Sequence, residues 1–103
     1  MSNQVAQIIL QQLGGNKFVV MTGAKNLTSH GDENALSFRL SGTMTRNKAN
    51  YVKITLDAND TYTVYFGNIR KLELKQVSKF EDIYCDGLVE LFENETGLRT
   101  KLF

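Results

Sequence analysis

The stretch from Phe80 to Glu93 limits what this 103-residue chain can fold into more than any other part of it. Phe80, Ile83, Tyr84, Leu88, Leu91 and Phe92 recur at helical spacing, with Glu81, Asp82, Asp86, Glu90 and Glu93 off that stripe. The spacing predicts an acidic amphipathic helix over 80–93, and its apolar side must be covered. Three segments with a period of two supply the cover: 35–40, 51–56 and 61–66. The expected fold is therefore α+β: an antiparallel sheet of four to five strands, with an N-terminal helix and a C-terminal amphipathic helix packed on one face. A single domain is expected to span 1–103. Each buried Phe, Leu, Ile or Val contributes roughly 1.5–3 kcal/mol, so docking of the last helix is worth about 10 kcal/mol gross. That is comparable with the whole net stability of a small domain.

Along the chain, Ser2 or Asn3 can cap a first helix whose stripe is Val5, Ile8, Ile9 and Leu13, and Gly14-Gly15 ends it. Lys17 to Met21 is β-branched and aromatic and reads as a strand covered on both sides. Residues 22–34 read as a polar loop. In the strand at 35–40, Leu36, Phe38 and Leu40 point inward and Ser37 and Arg39 outward. A second polar loop, 41–50, carries Arg46 and Lys48. Val52, Ile54 and Leu56 share a face, 57–60 is a hairpin turn, and Tyr62, Val64 and Phe66 face inward on the return strand. Gly67-Asn68 is expected to break that strand, with another at 69–77. Ser78 with Glu81 forms a capping box for the last helix, and Gly97 terminates it.

The apolar fraction of 42% and charged fraction of 22% are those of an ordinary globular protein and argue against disorder. One cysteine excludes an internal disulfide framework and suits a reducing compartment. The opening residues carry neither a basic leader nor a membrane-length apolar run, so no membrane association and a cytoplasmic location in a bacterial host cell are expected. The net charge of +1 conceals an asymmetry. Residues 1–56 hold six bases and two acids, whereas 57–103 hold six bases and nine acids.

No set of residues amounts to a catalytic or cofactor signature, and a non-enzymatic protein without cofactor or metal is expected. His30 is the single histidine, in a Gly/Asp/Ser loop with nothing nearby in sequence to orient it. Asp32 and Glu33 beside it make a poor metal site. Cys85 is flanked by Asp86, which opposes thiolate formation, and reads as a packing residue. LGGNKF and MTGAKN have glycines before a lysine, but neither fits a phosphate loop, and helix, glycines, then strand is the wrong order for one.

Two charged surfaces remain. Lys25, Arg39, Arg46, Lys48 and Lys53 supply cations on outward strand faces and loops, with Tyr51 and Tyr65 interleaved. Charge for phosphates beside a π-face for bases is what single-stranded nucleic acid requires. Alternatively, Glu81, Asp82, Asp86, Glu90 and Glu93 form a negative surface suited to a partner's basic groove. Either surface can also be an ordinary solvated face. Open sheet edges are compatible with a homodimer.

The string LGGNKFVVMTGAKN, followed by SFRL, YVKITL and EDIYCDGLVELFENETGL, resembles a family of small uncharacterised proteins encoded by bacteriophages, prophages and other mobile elements. The resemblance spans nearly the whole chain and brings no functional residues with it. It implies a phage-related origin, with a role in phage DNA metabolism or in anti-defence, for example inhibition of a CRISPR effector. The expected partner is thus nucleic acid or a host or phage protein.

Overall fold

In the computed structural model, which describes residues 4–30, 34–40 and 48–98, the chain forms one α+β fold. Helices α1 (Gln4–Leu13) and α2 (Asn16–Thr22) come first. Strands β1 (Lys25–His30), β2 (Ala35–Arg39), β3 (Tyr51–Leu56), β4 (Tyr62–Arg70) and β5 (Glu73–Ile83) follow. A 3₁₀ turn, Cys85–Gly87, leads into α3 (Leu88–Thr96). The five strands form an antiparallel meander in sequence order, with β1 and β5 as its edges.

Gly14 and Gly15 end α1 as the sequence implies, but they lead into a second helix and not into a strand. Both glycines have positive φ, which lets the chain turn a corner between helices. In α2, Phe18 and Thr22 lie one turn apart on the buried side, while Val20 is 79% exposed. A strand at 17–21 would have placed Phe18 and Val20 on the same side. Packing and a strong stop outweigh the β-branched composition here. Thr22 Oγ1 donates to Phe18 O at 2.7 Å and accepts from Ala24 N at 3.3 Å. Gly23, left-handed at φ 71°, donates its N–H to Val19 O. The same device closes α3. Thr96 Oγ1 donates to Phe92 O at 2.7 Å and accepts from Leu98 N, and Gly97 at φ 75° donates to Glu93 O. FVVMTG and FENETG are thus two copies of one helix ending.

In the sheet, Leu36, Val52, Ile54, Val64 and Phe66 lie on the helix-covered side, as the alternation requires. Three expectations fail. The supposed loop 22–34 contains edge strand β1, whose Asn26, left-handed at φ 55°, sits in a bulge opposite β2. Gly67 and Asn68 do not break β4, which runs on to Arg70. The expected helix over 80–93 is a strand in its first part: β5 continues to Ile83, and Ser78 is a strand residue, not a cap. A bulge explains the false helical spacing. Val64 pairs with Phe80 and Tyr62 with Ile83, so β5 carries one extra residue there, with Asp82 at φ 58°. Phe80 and Ile83 therefore face the same side although three residues apart.

The helices meet the sheet through Phe18, Phe38 and Phe92, drawn from α2, β2 and α3. Phe18 lies edge-on to both others, with ring centroids 5.2 Å from each. Ile9 and Leu13 of α1, Leu88 of α3 and the inward strand residues complete the interior. Ile8, expected in the α1 stripe, is exposed, and Ala6 takes the buried position. Phe92→Ala should lower the unfolding free energy in urea by about 3–5 kcal/mol. Val20→Ala should be neutral or slightly stabilising, because it improves helix propensity at an exposed site; a loss comparable to that of Phe92→Ala would contradict a helical 16–22.

Tyr62, at the start of β4, is 4% exposed. Burial, with Cys85 and Asp60 nearby, pushes its phenol above the ordinary value of 10.0. The unfolded chain then ionises first as pH rises, so Tyr62's contribution is intact below about pH 10 and is lost as pH climbs through the raised value. Melting temperature should fall above about pH 10 less steeply in Tyr62→Phe than in the parent; identical slopes would contradict this.

Candidate nucleic-acid interface

The helices cover one face of the sheet, and cross-strand register determines what the other presents. Lys25 pairs with Arg39, Arg39 with Tyr51, and Tyr51 with Gly67. One row along, Ser37 pairs with Lys53, Lys53 with Tyr65, and Tyr65 with Lys79. Directly paired residues share a face, so four cations and two tyrosines occupy adjacent rows of the outer side. Strands about 4.8 Å apart and rows about 6.8 Å apart make this a compact array. The Tyr51 and Tyr65 rings meet edge to face, with centroids 6.3 Å apart. With Lys53, Thr55, Asp57, Thr63, Leu74 and Lys79 they line a shallow groove of about 480 Å³.

Gly67 shapes this groove. A Cβ there would lie 2.7 Å from Leu74 Cδ1 and 2.8 Å from Tyr65 Cε1. The missing side chain lets Leu74 and the Tyr65 ring close over the strand backbone and continue an apolar floor toward the β4–β5 turn.

The electrostatics of the face favour an anion. Lys25 and Arg39 are like charges placed opposite one another, a destabilising arrangement. Arg39 Nε is buried and has no hydrogen-bond partner among the described residues. A buried donor left unsatisfied costs about 1–3 kcal/mol, a cost carried by the fold at an atom that solvent does not reach. Asp57 is the acid within the groove, and it accepts a hydrogen bond from Thr63 Oγ1 at 2.6 Å. Lys79 makes an exposed ion pair with Glu81 at 3.6 Å, weak enough to exchange for a phosphate.

Of the five cations singled out from sequence, Lys25, Arg39 and Lys53 come together on this face. Lys48 lies in a separate groove beside β4 and β5, and Arg46 falls outside the described residues. Lys79 was missed because its segment was read as the approach to a helix. The alternation of Lys79 and Glu81 with Ser78 and Phe80 was the available signal.

Glu81, Asp82, Asp86, Glu90 and Glu93 do not share a helix. The first two lie in β5, Asp86 in the 3₁₀ turn, and only Glu90 and Glu93 in α3. Cys85 is exposed and not packed. His30 is not a free turn residue: it ends β1, and its Nε2 hydrogen-bonds Ser37 Oγ at 2.7 Å. Ser37 is only 4% exposed, so the pair fastens the edge strand and leaves the hydroxyl no open approach. Among the described residues there is no cluster of three or more His, Cys, Asp or Glu, and no helix is long and apolar enough to cross a membrane.

No protein-family model, curated protein or solved structure matches this chain.

Proposed function

We propose that this chain is a non-enzymatic binding protein that takes up single-stranded nucleic acid on the open face of its sheet, in the DNA metabolism of a phage or related mobile element. One observation carries the proposal: Tyr51 and Tyr65, edge to face on the solvent side, are bordered by Arg39, Lys53 and Lys79 on paired positions. Rings supply stacking surfaces that tolerate any base, while the cations follow the phosphates. Because few cations are involved, affinity should be modest and fall with salt.

Fluorescence-anisotropy titration of the full chain with a labelled thymidine oligonucleotide at low ionic strength tests this. Tyr65→Ala should weaken binding by roughly tenfold, within the 1–3 kcal/mol expected per stacked base. Lys53→Glu should weaken binding and flatten its salt dependence. Absence of binding at low salt, or full affinity in both variants, would overturn the proposal.

A further inference from the structure

The last rung joining β3 to β4 is Tyr51 opposite Gly67; beyond it, Asn68 to Gln76 continue as a two-stranded arm. The Asn50 side chain braces the root of the arm. Its Nδ2 donates to Ile69 O at 3.0 Å, and its Oδ1 accepts from Ile69 N at 2.7 Å. The Asn68 side chain donates to Lys48 O at 2.8 Å.

At the tip, Arg70 pairs with Glu73, leaving Lys71-Leu72 as a two-residue turn. Both are left-handed, at φ 49° and 71°. A tight turn of this kind favours Asn-Gly, because other side chains are strained at positive φ. Here Leu72 takes the strained position and is fully exposed, with 102% of its reference surface in solvent. An apolar side chain at a strained, solvent-facing tip gives the fold nothing. Strain of this kind is a pointer to use elsewhere.

The surroundings point to the partner's chemistry. Lys48, Arg70, Lys71 and Lys75, with Glu73 as the one acid, line a groove of about 740 Å³ on the helix side of the arm. On the other side, Leu74 leads back to Gly67 and the tyrosine face. A basic arm with a bare leucine at its end suits a polyanion whose interior is apolar. Leucine side chains inserted between base steps unstack them while flanking cations hold the phosphates.

We propose that the β4–β5 arm is a wedge, with Leu72 inserting into the first base step of a duplex where it meets the single strand lying on Tyr51 and Tyr65. This rests on the sheet face binding single-stranded nucleic acid, and it specifies the preferred substrate as a single-strand/duplex junction.

The test uses the full chain with a forked DNA carrying 2-aminopurine at the junction, and with the isolated single-stranded arm of the same sequence. The parent should bind the fork at least about fivefold more tightly than the arm alone, with a rise in 2-aminopurine fluorescence as the base unstacks. Leu72→Asn, which suits positive φ, should fold as well as the parent or better. It should abolish both the preference and the fluorescence rise, leaving single-strand affinity unchanged. Lys71→Asn with Leu72→Gly should do the same. A fork preference retained in both variants, or absent from the parent while single strands still bind, would overturn the wedge alone. Failure to bind either DNA would remove the sheet-face reading and the wedge together. Leu72-dependent binding to phosphatidylserine vesicles in that case would reassign the tip to a lipid surface.

Discussion

The edge-to-face contacts of Phe18 with Phe38 and Phe92 are the constraint from which the rest of this structure follows. They bring one ring from near the start of the chain, one from the second strand and one from the last helix to a single point on one side of the sheet. Aromatic pairs in this geometry contribute about 0.5–1.5 kcal/mol beyond the area they bury. Position matters more than that increment. Two of the three rings begin the turn that ends in a threonine bonded to the ring residue's own carbonyl and a left-handed glycine. Ring and helix stop therefore arrive as one unit, twice, and both helices are tied to the same face.

The opposite face is shaped by what that arrangement leaves over. With every helix on one side, the strand positions alternating with the core turn toward solvent, and the meander sets them in rows. Tyr51, Tyr65, Lys53 and Lys79 are neighbours only because four consecutive segments pair in sequence order. The β4–β5 arm is a second consequence: β4 outlasts β3, and Asn50 lends its side-chain amide as one further rung. Beyond Asn50 and the Asn68–Lys48 bond, the arm is held among the described residues by its own ladder, and its end presents side chains that the core did not select.

How far the fold could be read from sequence depended on whether a segment obeyed one periodicity. The β3–β4 hairpin was legible because Val52, Ile54, Tyr62, Val64 and Phe66 alternate strictly around a polar turn. The end of α1 was legible because paired glycines are hard to place otherwise. Segment 17–21 was misread because its β-branched residues speak for a strand, while the decisive signal lay in recurrence: Phe, three residues, Thr, Gly at 18–23 and again at 92–97. Segment 80–83 was misread because a bulge at Asp82 turns a two-residue period into a three-residue step. Strand β1 was invisible because all but its last residue are exposed, so no apolar pattern marks it. Five of the six residues of the candidate site were legible: Arg39, Lys53 and the two tyrosines follow from alternation alone, and Lys25 stood out as a cation in a supposed loop. Lys79 escaped because the helical spacing that the bulge creates at 80–83 hides the two-residue alternation of 78–81.

The central claim is that one aromatic cluster fixes α2 and α3 on one side of the sheet, beside α1, and leaves Tyr51 and Tyr65 on the other. Nuclear Overhauser contacts in a sample labelled at the phenylalanine and tyrosine rings test this directly. The structure requires cross-peaks linking Phe18 to both Phe38 and Phe92, and Tyr51 to Tyr65, with none between the two groups. Cross-peaks from Phe18 or Phe92 to Tyr51 or Tyr65, or no contact between Phe18 and Phe92, would contradict it.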